Sequence, residues 1–197
     1  MKLNWAERWA VNNPLRIVEQ RIELRRLRQM LPLKPGFVAL EIGCGRGAGA
    51  RIILKEFQPF HIHALDLDIE MIVKAQRYLS SEEKQEVSLL AGDVTFLPIK
   101  TGSLDAVFGF GVLHHIPDWR LALAEIARVL KPQGAYFLEE LYPSLYQNFV
   151  TKHILLHPKE DRFNHEDLKH ALIQAGFELR NSIECKKLGI LGAAVKV

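Results

Sequence analysis

The spacing of hydrophobic positions changes period repeatedly along the chain. From Pro14, Leu15, Val18 and Ile22, then Leu24, Leu27 and Leu31, recur at three- and four-residue steps and stop before Pro32 and Pro35-Gly36, which predicts an amphipathic helix. An apolar run from Phe37 to Leu40 then closes on Glu41 and on glycines at every second position, Gly43, Gly45, Gly47 and Gly49. That pattern is a strand running into a tight turn. A helix over 48–57 ending near Pro59, a buried strand over 61–66 closing on Asp66, and a helix over 69–79 with Asp68 at its start follow. Strands over 86–93 and 104–111 come next, and 112–118 leads into a helix over 119–130. Lys131-Pro132-Gln133-Gly134 stops that helix, and a fifth strand runs over 134–140. After a helix over 165–175 stopped by Gly176, strands over 177–185 and 188–197 meet at Lys186-Lys187 as a hairpin.

Helix and strand patterns thus alternate five times. This predicts an α/β chain built of right-handed βαβ units, a single doubly wound Rossmann-like domain with a mostly parallel sheet and helices on both faces. Its segments are an N-terminal helical piece over 1–36, a core over 37–141, an irregular stretch over 142–164, and a helix with terminal hairpin over 165–197. The irregular stretch carries Tyr142, Tyr146, Phe149, His153, His157 and Phe163. Because it follows the C-terminal end of a strand, it is a candidate lid or substrate wall, with ordinary packing aromatics as the alternative.

At 197 residues and 48% hydrophobic content, one core of ordinary size is affordable to the chain without a second domain. The net charge of +3 is unevenly spread, since residues 1–36 hold eight Lys or Arg against three Asp or Glu. Arg16, Arg21, Arg25, Arg26 and Arg28 lie on the first helix, interrupted by Glu19 and Glu23. A solvated face on a packed helix is the first reading, and contact with an anionic membrane surface or nucleic acid the second. Cys44 and Cys185 have neither metal-ligand spacing nor disulfide-scaffold density, so a reducing, cytoplasmic setting is expected. No run of about 18 apolar residues predicts membrane insertion, and no leading apolar stretch predicts export.

The glycine turn is where chemistry is expected, because residues without Cβ let backbone N–H groups approach a ligand as a helix begins. Its spacing is G-x-G-x-G rather than the dinucleotide G-x-G-x-x-G, and Glu41 precedes it by two residues. A carboxylate there repels a pyrophosphate and suits an ammonium or sulfonium. Asp66 falls about 20 residues beyond the turn, the separation at which a strand-end acid meets a ribose, unless it serves as a helix cap. With Asp93, three successive strands end in acids on one sheet edge, which suits a cationic ligand bearing hydroxyls and amines. No Ser-His-Asp or Cys-His arrangement and no metal cluster is evident.

Glu41 to Gly47, Asp66 to Ile72, Gly92-Asp93-Val94, Leu104 to Val107, Val112 to Ile116 and Arg128 to Gly134 together resemble the class I S-adenosylmethionine-dependent methyltransferases. The small-molecule branch that includes ubiquinone and menaquinone biosynthesis methyltransferases is the most similar. The resemblance implies a seven-stranded sheet whose last strand is antiparallel. It implies S-adenosylmethionine as cofactor, S-adenosylhomocysteine as product, no metal, and a small acceptor, lipophilic ones included. By position, Glu41, Gly43, Cys44 and Gly45 fall at the methionine and ribose end, and Asp66 at the ribose hydroxyls. Leu67, Met71 and Val94 fall against adenine, Asp93 at its amino group, and Phe110 at the methionine portion. His115, or His114, is a candidate base, and Tyr142 and His153 of the candidate lid are further candidates for that catalytic role. RNA or protein methylation and a non-catalytic cofactor-binding subunit remain as alternatives.

Overall fold

A computed structural model describes residues 13–146 and 162–197. The candidate lid residues Phe149, His153 and His157 lie outside the described residues. In chain order the elements are α1 (Pro14–Met30), β1 (Val38–Ile42), α2 (Ala48–Phe57), β2 (His61–Asp66), α3 (Ile69–Tyr78) and a short α4 (Glu83–Glu86). They continue with β3 (Val87–Ala91), β4 (Leu104–Phe110), α5 (Trp119–Val129), β5 (Leu130–Leu141) and a single turn α6 (Pro143–Tyr146). The chain ends with α7 (His165–Gln174), β6 (Phe177–Cys185) and β7 (Gly189–Lys196). Single-turn 3-10 helices at Val94–Phe96 and Leu113–His115 follow β3 and β4.

The strands form one sheet in the order β3-β2-β1-β4-β5-β7-β6. β1 pairs in parallel with both β2 and β4, and β7 runs antiparallel to β5 and β6. The connections from β1 step one way to β2 and β3, and the chain then crosses to the other side at β4. That reversal leaves a crevice beyond the C-terminal ends of β1 and β4, the place where open α/β sheets bind ligands.

Alternate residues of each strand enter opposite cores, as a period of two requires. Leu40, Val107, Tyr136 and Leu138 pack with Trp119, Leu123 and Ile126 of α5 and Leu168 and Leu172 of α7. Ala39, Ala106, Phe108 and Phe137 face the other way, onto α1, α2 and α3. On that side Phe108 and Phe137 stack at 4.8 Å between centroids and Phe57 of α2 meets both edge-on at 5.1 and 5.3 Å, so α2 is fixed against the centre of the sheet.

Two expectations change. β5 begins at Leu130 rather than Gly134, because the register jumps between Leu104 and Ala106 and lets Pro132 to Gly134 bulge out of the ladder, with Gln133 at φ 64°. A proline without an N–H is tolerated at such a bulge. The apolar set expected to seat α1 also divides. Leu24 and Leu27 are buried, whereas Leu15, Val18 and Ile22 are 75%, 59% and 49% exposed. The inward face of α1 also carries Arg16, Gln20 and Glu23, so the arginine at position 16 does not belong to a solvated face.

Candidate active site

Positive φ at Gly43, Gly45 and Gly47 turns the chain out of β1, and Gly47 opens α2 without a side-chain cap. Asp66 fastens this turn to β2, its Oδ2 accepting from the Gly45 N–H at 2.8 Å and its Oδ1 from the Asp68 N–H at 2.8 Å. The Cys44 N–H donates to the Leu65 carbonyl at 3.0 Å, a second tie between the two strand ends. Asp68 caps α3 through the Glu70 N–H, so capping and turn-holding are divided between two acids. The turn is tightly constrained. A Cβ on Gly43 would lie 2.5 Å from Val112 Cγ2, and one on Gly49 would lie 1.8 Å from Glu41 Oε1.

A cavity of about 400 Å3 lies along this edge. Its wall includes Glu41 of β1, Gly43, Cys44 and Gly45 from the turn, Asp66 and Leu67 at the end of β2, and Met71 of α3. Asp93 and Val94 after β3, Phe110 at the end of β4 and His115 beyond it complete the residues expected there. Tyr142 is placed elsewhere. It is buried, donates from its hydroxyl to Glu184 Oε1 at 2.6 Å, and is not among the cavity residues. Phe163 likewise packs in the core, 4.8 Å from Trp119 between ring centroids, rather than over the cavity.

The three strand-end acids differ in state. Asp93 is exposed and caps the turn after β3 through the Thr95 N–H and hydroxyl. Asp66 is half-buried and accepts one backbone N–H at each carboxylate oxygen. Glu41 is almost wholly buried, and its Oε2 has no hydrogen-bond partner. Burial pushes its pKa up to about 8, against the pull of the Ala50 N–H, and the Asp66 charge raises it further. A buried carboxyl oxygen without a protein donor, on the wall of a cavity, fits a ligand that brings a cationic donor.

His114 and His115, equivalent as candidates by sequence, separate here. His114 turns inward, its Nδ1 2.8 Å from Oε2 of the fully buried Glu140, which also accepts from the Val112 and Leu113 N–H groups at 3.1 and 2.8 Å. Glu140 thereby fixes the 3-10 turn, and His115 is the member of the pair on the cavity wall.

Sequence reasoning did not anticipate α1 in this wall, yet Arg16 and Gln20 both line it. Arg16 Nη1 bonds Glu23 at 2.9 Å and Nη2 bonds Glu139 of β5 at 2.9 Å, which ties the helix to the sheet. Burial works against the Arg16 charge, but Glu139 and Glu23 outweigh it and raise its pKa. Burial raises the Glu139 pKa despite Arg16, with Glu23 and Glu140 adding to the rise. The signal present in the sequence was Arg16, Gln20 and Glu23 at helical spacing on the flank of Leu24 and Leu27.

A sequence profile described as a methyltransferase domain matches residues 40–138, which hold the glycine turn, all three acids and β5 as far as Leu138. The chain belongs to the class I S-adenosylmethionine-dependent methyltransferase family. Among curated relatives of this methyltransferase-family chain, a sterol 24-C-methyltransferase of Gibberella zeae is 28% identical over 80% of the chain and 37% of its own length. A demethylmenaquinone methyltransferase of Staphylococcus aureus is 31% identical over 68% of the chain and 56% of its own length. The chain therefore spans less than two thirds of these relatives. A S-adenosylmethionine-dependent methyltransferase from Aquifex aeolicus shares the fold with a TM-score of 0.76, at 20% identity over the full length of both chains.

Proposed function

We propose that this chain transfers a methyl group from S-adenosylmethionine to a small acceptor, lipophilic ones included. The observation that carries this is the buried, unpartnered Oε2 of Glu41 on the wall of a cavity rimmed by Asp66 and Asp93. When bound, the cofactor supplies a methyl already activated by a positive sulfonium. Glu41 holds the amino group, Asp66 accepts from the ribose hydroxyls, and Asp93 accepts from the adenine amino group. Leu67, Met71 and Val94 flank the ring. Phe110, Val112 and Ile116 keep water from the reacting end and align the acceptor, which suffices for attack on so strong an electrophile. His115 takes the proton where the acceptor carries one. The relatives named for sterol and menaquinone substrates support an acceptor of lipid-like character. The free thiols of Cys44 and Cys185 support a reducing, cytoplasmic setting.

Calorimetry with S-adenosylhomocysteine tests the cofactor half, with binding expected at micromolar ligand and absence of binding at millimolar ligand overturning it. Transfer of labelled methyl into a lipid extract rather than into RNA or protein tests the acceptor half. Label found only in RNA would replace the small-molecule reading.

A further inference from the structure

The outward face of α1 plays no part in methyl transfer. At 3.6 residues per turn, Leu15, Val18 and Ile22 fall within about 60° of one another and opposite the buried Leu24 and Leu27. They are exposed at 75%, 59% and 49%. Arginines border this stripe. Arg25 and Arg26 flank it, Arg21 and Arg28 lie one position further round, and all four are exposed, with Arg25 paired to Glu56 of α2 and Arg28 donating to the Glu56 carbonyl. Of the two acids on the helix, Glu23 turns inward to Arg16, and Glu19 alone remains on the exposed side.

We propose that α1 is an interfacial helix that docks the protein on an anionic lipid surface, the apolar stripe entering the headgroup boundary and the arginines meeting lipid phosphates and carboxylates. The charge pattern selects this occupant. Nucleic acid would use the arginines but leave three large apolar side chains facing water. A second copy of the helix would cover the stripe but set its arginine borders against each other. A lipid surface satisfies both sets of side chains. The opposite face of the helix presents Arg16 and Gln20 to the cavity, so docking brings the cavity within about one helix diameter, ~10 Å, of the bilayer. The docking claim stands independently of methyl transfer.

Co-sedimentation of the full chain with phosphatidylcholine vesicles, with and without phosphatidylserine, tests it. Binding is expected to be at least about tenfold tighter to the anionic vesicles and to weaken with salt. Val18→Asp with Ile22→Asp should lower it by about tenfold or more, and Arg21→Gln with Arg26→Gln by about fivefold for each arginine removed. Both variants should retain wild-type melting temperature and S-adenosylhomocysteine affinity, since none of these side chains lines the cavity. Equal binding to neutral and anionic vesicles would overturn the proposal, as would arginine variants that bind like wild type. So would a dimer in sedimentation equilibrium that the aspartate variant converts to monomer, or RNA binding that the aspartate variant leaves unchanged.

Discussion

Replacing Glu41 by glutamine separates the cost of this residue in the empty protein from its use in ligand binding. The unfolded chain ionises this carboxyl near the ordinary 4.5 and the folded chain near 8, so between those values the folded state holds one more proton. Stability therefore falls as pH rises through that interval, at ~1.4 kcal/mol per pH unit for one proton. At pH 7 the wild type should be about 3 kcal/mol less stable, through this group, than at pH 4.5. Glutamine fills the same volume and cannot ionise. An amide left short of one partner costs ~1 kcal/mol, so Glu41→Gln should be more stable than wild type by about 2 kcal/mol at pH 7, the gain shrinking toward pH 5. Its S-adenosylhomocysteine affinity should move the opposite way, about 10- to 100-fold weaker at pH 7.5, because a hydrogen bond to a charged group contributes ~1.5–3 kcal/mol. Wild-type affinity should rise between pH 6 and 7.5, as binding draws the carboxyl into its ionised form. Urea unfolding of both proteins at several pH values, with calorimetry, measures each quantity. Parallel stability profiles between pH 5 and 8, or equal cofactor affinities, would refute the assignment of Glu41. The slope contributed by Glu139 is common to both proteins and cancels in the difference.

Three further outcomes follow from the same contacts. Gly49→Ala places a methyl 1.8 Å from Glu41 Oε1 with Gln20 Nε2 2.8 Å away, so overpacking should cost about 1–3 kcal/mol in urea unfolding and abolish calorimetric cofactor binding. Glu140→Ala strands the Val112 and Leu113 N–H groups and His114 Nδ1, and should destabilise by about 3 kcal/mol in denaturant unfolding, with Glu140→Gln losing less. Arg16→Met leaves Glu139 and Glu23 without their cation. Both carboxyls are held above the ordinary range by burial, so the loss should be small below pH 5 and grow as the pH rises and they ionise, measured by urea unfolding from about pH 5 to 9.

The alternation of period, the caps and the glycine turn made most elements legible in the one-dimensional chain. α2, β2 and α5 fall within a residue of their expected bounds because their signals are local: Gly47 and Pro59 around α2, Asp66 at the end of β2, Asp118 before α5. The bounds of β5 were not local. Lys131 to Gly134 reads as a turn by itself, and only the pairing of Leu104 with Leu130 beyond it draws the preceding residues into the strand.

That the expected residues would line one edge was also legible, since nearly all stand at or beside the C-terminal ends of strands whose direction and order the βαβ pattern implies. What each acid does was not. Glu41 and Asp93 are the same chemistry in the sequence, yet one lies beneath Gly49 with an oxygen lacking any donor and the other lies in solvent beside Thr95. The difference is made by burial, which depends on neighbours distant in the chain. His114 and His115 were likewise indistinguishable until Glu140, 26 residues beyond His114, claimed one of them. α1 is the clearest case. Its helical period was plain, but apolar residues occupy two opposite sides, and periodicity alone cannot say which side meets the sheet. Arg16 reaching Glu139 across 123 residues of chain is part of what seats it, turning Leu15, Val18 and Ile22 to the surface. Local patterns determined the elements and their order, while long-range packing decided which of their faces became wall, core or surface.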